Sequence, residues 1–213
     1  MSAEIIPTVL VYKGDDFLAR FNKVVGISNF VQIDFMDGKF VDQESVGLEG
    51  LPFLKDYDTR FEAHLMVKDP ESWVEPLSKK GFQNVIFHYE ALDNGNDGID
   101  VKYLAGLIRR YHMNPILAIN PETNVEDVFS VLDVVSHVLV MGVPPGKEGQ
   151  TFLPETLKRI RALKKKKPTL RIQVDGGVTL ENATEIADAG CYFINSGSLI
   201  AKSESPKATL MKL

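Results

Sequence analysis

Eight short apolar runs, separated by segments of helical periodicity, recur at near-even spacing along the 213 residues. The runs are Ile5–Val11, Phe30–Phe35, Arg60–Met66, Val85–His88, Pro115–Asn120, Val134–Met141, Arg171–Asp175 and Cys191–Ile194. Between them apolar residues return at helical intervals. Phe17, Leu18, Phe21, Val24 and Val25 do so within Asp15–Val25, and Trp73, Val74 and Leu77 follow a cap-like Asp69-Pro70-Glu71-Ser72. Val101, Leu104, Leu107 and Ile108 share one face, and Pro154–Lys166, Leu180–Ala189 and Leu199–Leu213 read as further helices. The helix signal is weak near Leu48–Leu54, and short between the cap-like Pro121-Glu122-Thr123-Asn124 and Leu132. Strands apolar on both faces that alternate with helices call for a parallel sheet covered on each side. Eight such units close on themselves, so the expectation is one α/β domain over residues 1–213, a (β/α)8 TIM barrel. An open doubly wound sheet would use fewer strands, and no Gly-x-Gly-x-x-Gly follows the first run.

Composition narrows the partners. The net charge of −5 argues against a general affinity for nucleic acid or anionic membrane. The basic run from Lys164 to Lys167 reads as a solvated helix end favoured by the dipole. Cys191 is the sole cysteine, in an apolar setting that fits a reducing compartment. No apolar run approaches the ~20 residues of a membrane span. Nor does a basic region followed by an apolar stretch open the chain, so a cytoplasmic protein is expected.

In a parallel barrel the chemistry gathers where strands hand over to the following loops. Asp34 ends the second run and opens Phe35-Met36-Asp37-Gly38; Asp175 ends the seventh and opens Gly176-Gly177-Val178. A carboxylate just past a buried strand is poorly placed for packing and well placed for proton transfer. Two on opposite sides of one pocket can take a proton from one face of a carbon and return one to the other, so Asp34 and Asp175 are the candidate catalytic pair. With His64 they also form a candidate site for a divalent cation, zinc, manganese, iron or cobalt. His88, His112 and His137 lack comparable partners and read as structural or surface residues. Glycines after the last three runs suit an anion: Gly146 and Gly149, then Gly176 and Gly177, then Gly197 with Ser198. Met36, Met66 and Met141 stand at strand ends, either as flexible core filling or as an apolar wall that excludes water.

At these residues the chain resembles the ribulose-phosphate 3-epimerase family. The motifs, in order, are Ile33-Asp34-Phe35-Met36-Asp37-Gly38-Lys39-Phe40-Val41, His64-Leu65-Met66-Val67, Asn120-Pro121-Glu122-Thr123, Val140-Met141-Gly142-Val143, Pro145-Gly146, Gly149-Gln150, Val174-Asp175-Gly176-Gly177-Val178 and Gly197-Ser198. The resemblance implies a (β/α)8 barrel that interconverts D-ribulose 5-phosphate and D-xylulose 5-phosphate through a cis-enediolate. It implies Asp34 and Asp175 as acid/base pair and metal ligands, His64 as a further ligand, and Met36, Met66 and Met141 around the intermediate. The phosphate would lie on Gly146, Gly149, Gly176, Gly177, Gly197 and Ser198.

The chain departs from the family pattern in four places. Gln32 replaces a metal-binding histidine; its oxygen can coordinate, but it is neutral and a poorer match to zinc. Thr8 takes the place of a substrate-contacting serine. Val41-Asp42-Gln43 replaces Val-Pro-Asn, and Lys147-Glu148 replaces an aromatic residue and a glycine. These departures motivate two rival readings, an epimerase of another ketose phosphate such as a hexulose 6-phosphate, and a non-catalytic sugar-phosphate sensor. The apolar stretch Val46–Leu54 is either a loop packed on its own barrel or a contact in a homo-oligomer.

Overall fold

The computed structural model describes residues 3–92 and 100–213. Eight parallel strands close into a barrel in chain order, with β1 pairing β8. They are β1 (Glu4–Val9), β2 (Phe30–Met36), β3 (Arg60–Met66), β4 (Asn84–His88), β5 (Asn114–Ile119), β6 (His137–Met141), β7 (Arg171–Asp175) and β8 (Phe193–Ser196). Helices α1 (Phe17–Val24), α2 (Val74–Lys80), α3 (Val101–Arg110), α4 (Glu155–Lys166), α5 (Ala183–Asp188), α6 (Ser198–Ala201) and α7 (Pro206–Leu210) surround them.

Local signals explain most of these elements. Asp16 accepts from Ala19 N and starts α1, whose Phe17, Phe21 and Val24 turn inward. Asp100 accepts from Tyr103 N at 2.6 Å and starts α3, which buries Val101, Leu104, Ala105 and Ile108. Gly81, in the left-handed region, ends α2 and donates to Leu77 O and Ser78 O.

Several expectations are corrected. Asp69 caps nothing; Pro70 is already helical, and one 3-10 turn (Glu71–Trp73) leads into α2. The segments after β2 and β5 hold only 3-10 turns, at Leu48–Gly50, Leu54–Asp56 and Val125–Val128. The long last helix is two short ones, because Pro206 can begin a helix but not continue one. Strand β8 lies two residues later than the apolar run suggests, since Asn195 and Ser196 are polar yet buried. Leu51 and Leu54 pack into the barrel's own core, while Glu49, Gly50 and Phe53 of the Val46–Leu54 stretch are exposed.

Two regions bury most of the apolar surface. The larger lies between sheet and helices, where Phe21 stacks on Phe17 and Phe61 and meets the edge of Tyr57. The smaller fills part of the barrel's interior with Ile86, Ile116, Ala118, Leu139 and Met141. Much of the rest of that interior is polar. Gln32 sits beside Glu62 and Asp34 beside His64 in the β2–β3 register, and Gln173 and Asn195 are buried on β7 and β8.

Truncating the fully buried Phe21 to alanine is expected to cost about 3–5 kcal/mol, read from chemical denaturation. His137 stacks on Phe193 at 5.3 Å, and its Nε2 has no hydrogen-bond partner among the described residues. Burial, with help from Arg171, holds its pKa down at about 3 against an ordinary 6.5. The neutral ring therefore supports the fold in full above about pH 6.5, and that support is lost as pH falls toward 3. A His137→Leu variant should show a shallower fall in melting temperature across this window.

Candidate active site

Strand-end geometry brings Asp34, His64 and Asp175 together at one end of the barrel. One ligand atom from each lies within 4.8 Å of the others, so the trio could hold a divalent cation. His64 Nδ1 is 2.9 Å from Asp34 Oδ1 and 3.7 Å from Asp175 Oδ2. Gln32 lies beside them with its amide nitrogen inward. Its Nε2 donates to Asp34 Oδ1 at 2.9 Å and to Asp175 Oδ2 at 2.6 Å, and is 3.3 Å from His64 Nδ1. One amide nitrogen thus bridges both carboxyl groups. The three strand-end residues fit a cation, while Gln32 presents N–H donors rather than the oxygen that could complete a fourth ligand.

Burial sets the electrostatics. It pushes the Asp34 carboxyl up to about 8, against the opposing hydrogen bond from Gln32. Asp175 rises to about 6, through burial first and the charge of Asp34 second. His64 falls to about 4 because its ring is buried. Two neighbouring carboxyl groups with separated affinities suit one to hold a proton while the other is ionised.

Other expected residues fall around this centre. Thr8, Met66 and Met141 border the same cavity. Met36 does not border it; it packs with Leu10 and Met66 under Tyr12, Phe40 and Val41, because its side chain closes an apolar cluster at the loop. Asp37, next along the chain, is structural. Its carboxylate accepts from the backbone N–H groups of Lys39, Phe40 and Lys68, and these outweigh burial to hold its pKa low.

The candidate glycines gather at one corner. Gly146, Gly149, Gly176, Gly177, Gly197 and Ser198 all border the cavity. Gly176 and Gly177 both have positive φ, and a Cβ on them would collide with Val143 and with the Phe152 backbone respectively. The turn that aims backbone toward the cavity is therefore open to glycine alone.

Three features escaped the sequence reading. His88 is fully buried, and its Nε2 meets His64 Nε2 at 2.8 Å, while its Nδ1 faces Glu90 Oε2 at 3.4 Å. Glu90 is fixed in turn by Asn120 N at 2.8 Å and by the Thr123 hydroxyl. A carboxylate facing His88 Nδ1 favours a proton there. His88 Nε2 then accepts from His64 Nε2, which leaves the lone pair of His64 Nδ1 aimed into the site. The signal was present in Val85–His88, where His88 shares the inward parity of Ile86. Second, Glu62, Gln173 and Asn195 form a buried polar layer beneath Gln32, each two positions from a residue already singled out or just past the expected strand end. Third, Arg20 of α1 holds the β6–α4 loop by a bidentate pair with Glu148, at 2.8 and 2.9 Å, and also donates to Leu10 O.

That half-buried pair ties the glycine corner to α1. A double-mutant cycle of Arg20→Ala and Glu148→Ala should give a coupling of about 1 kcal/mol, and each single change should speed amide exchange through residues 146–150.

Comparison with known proteins agrees with this geometry. A family model described as the ribulose-phosphate 3 epimerase family matches residues 10–201. The ribulose-phosphate 3-epimerase of Schizosaccharomyces pombe is 33% identical over 225 residues, covering 100% of this chain and 93% of that protein. The ribulose-phosphate 3-epimerase, cytoplasmic isoform, of Oryza sativa subsp. japonica is 34% identical over 218 residues, with the same two coverages. Among solved structures, a 3-hexulose-6-phosphate synthase superposes with a TM-score of 0.72 at 15% identity, over 99% of this chain and 97% of that one, a likeness of fold alone. Barrel, strand-end Asp-His-Asp group and glycine corner coincide with a match over nearly the whole chain, and the protein belongs to the ribulose-phosphate 3-epimerase family.

Proposed function

We propose that the chain interconverts D-ribulose 5-phosphate and D-xylulose 5-phosphate, with Asp34 and Asp175 as the catalytic pair. The observation that carries this reading is the pair itself. Two buried carboxyl groups can be bridged by one amide nitrogen, and burial pushes their pKa values up to about 8 and about 6. Burial raises both carboxyl groups, so one of the pair can hold a proton at neutral pH while the other is ionised; we assign the proton to Asp34 and the base to Asp175.

The C3 proton of the substrate is acidic because it lies α to the C2 carbonyl. Asp175 takes it, the C3–H electrons pass into a C2–C3 double bond, and negative charge develops on the C2 oxygen as a cis-enediolate. Asp34 then delivers its proton to the opposite face of C3, and the carbonyl re-forms. Afterwards Asp175 is protonated and Asp34 ionised, the arrangement required for the reverse reaction. Positioned acid–base groups of this kind contribute roughly 10²–10⁴-fold each. A divalent cation held by Asp34, His64 and Asp175 would supply Lewis-acid stabilisation of the enediolate oxygen. Met66 and Met141 exclude water from the intermediate. The phosphate lies against the backbone of Gly176, Gly177, Gly197 and Ser198, with Gly146 and Gly149 closing from the β6–α4 loop. Thr8 faces the sugar.

We place the protein in the cytoplasm, as its rice relative's name records for that protein. Cys191, a buried thiol that burial pushes up to about 12, agrees with a reducing compartment. No helix among the described residues is long and apolar enough to cross a membrane.

With D-ribulose 5-phosphate in deuterated water, deuterium should enter at C3, as read by NMR. Asp34→Asn and Asp175→Asn should each slow incorporation by at least about 10²-fold. A near-native rate in either variant would reject the two-carboxyl scheme.

A further inference from the structure

The way Gln32 faces is decided beneath the site. Its Oε1 accepts from Asn195 Nδ2 at 2.6 Å, with Gln173 Nε2 farther off at 3.4 Å. Asn195 cannot reverse freely, because its Oδ1 accepts from Gln173 Nε2 at 2.8 Å. Gln173 is held in turn, since Nε2 also donates to Glu62 Oε2 at 3.0 Å. Glu62 takes a second donor, Asn84 Nδ2, at 2.7 Å on its other oxygen. All five side chains are buried. Glu62 thus holds the Gln173 NH₂ on the side of Asn195, and Asn195 and Gln32 in turn each accept on oxygen from below and donate N–H to the acceptor above. The last N–H groups emerge at Asp34 and Asp175. Reversing Gln173 would turn its NH₂ to the side where Oε1 finds no partner among the described residues, and a buried N–H is costly to strand.

We propose that Asn195 is a positioning residue that locks Gln32 as a hydrogen-bond donor bridging the two aspartates, so that Gln32 is withheld from the cation site as a ligand. Asp34, His64 and Asp175 then bind a divalent cation with three protein ligands. The oxygen that would make a fourth is present but points down the barrel. The inference uses the Asp-His-Asp site on which the epimerase reading rests, but its readout, cation binding, requires no turnover.

The test is titration of the chelator-treated protein with Co²⁺, followed by calorimetry and by the visible d–d spectrum, which reports coordination number. Asn195→Asp keeps an acceptor for Gln173 and adds a second facing Gln32. The Gln32 amide must turn to donate to it, which carries Oε1 into the site. Expected are a Co²⁺ affinity about 10–100-fold above the parent protein, the scale on which residues behind metal ligands act, and a changed spectrum. Asn195→Ala deletes the lock without adding charge and should raise affinity in the same direction by less, which keeps the test open if the aspartate variant does not fold. Adding Gln32→Leu to either variant should abolish the gain. Equal affinity and spectra in the parent and Asn195→Ala proteins, or a gain that survives Gln32→Leu, would overturn the proposal. Loss of C3 exchange in the parent protein with the affinity shift intact would remove the epimerase reading and leave this one standing.

Discussion

Closure of the sheet governs everything at the site. Asp34 and Asp175 stand on β2 and β7, strands that are not neighbours in the sheet and are 141 positions apart at Gln32 and Gln173. Pairing of β1 with β8 bends the sheet until these strands face across a narrow interior. One amide nitrogen then reaches both carboxyl groups. An open sheet with the same strands would leave the two acids on a flat edge, separately hydrated and with ordinary affinities for protons.

The interior of the barrel is divided by chemistry. Its β4–β6 side is filled by Ile86, Ile116, Ala118, Leu139 and Met141, while the β2–β3 and β7–β8 side carries the amides and Glu62. The apolar half keeps water out and so raises the cost of ionising Asp34 and Asp175. The polar half supplies directed donors that partly repay it. Burial also pushes Glu62 up to about 7, although two amide donors oppose the shift. A site of this kind depends on orientation as much as on composition, since an amide turned end for end changes from donor to acceptor without moving.

The same division explains what could be read in the chain. The eight strands, the strand-end acids, His64 and the glycine corner were legible, because apolar periodicity and glycine placement are local properties. Strand β8 was displaced because Asn195 and Ser196 are polar at positions that an apolar criterion discards, yet both are buried, Asn195 within the amide network of the interior. Glu62 and Gln173 were passed over for the same reason, though each sits two residues before a singled-out side chain on the same face of its strand. His88 read as structural because its partner His64 is joined to it only once β3 and β4 pair. The Asp69 cap failed because Pro70 entered the helical region without needing it.

The alternation of elements, the barrel class and the identity of the acids at the strand ends follow from side-chain hydrophobicity and backbone freedom read over a few neighbours in the chain. Which groups face one another, which way Gln32 turns, and the reach of Arg20 to Glu148 across 128 positions of chain arise with the closed barrel. Hydrogen-bond polarity and proton affinity depend on what surrounds a group in space, and those surroundings come from distant strands that meet only when the barrel closes.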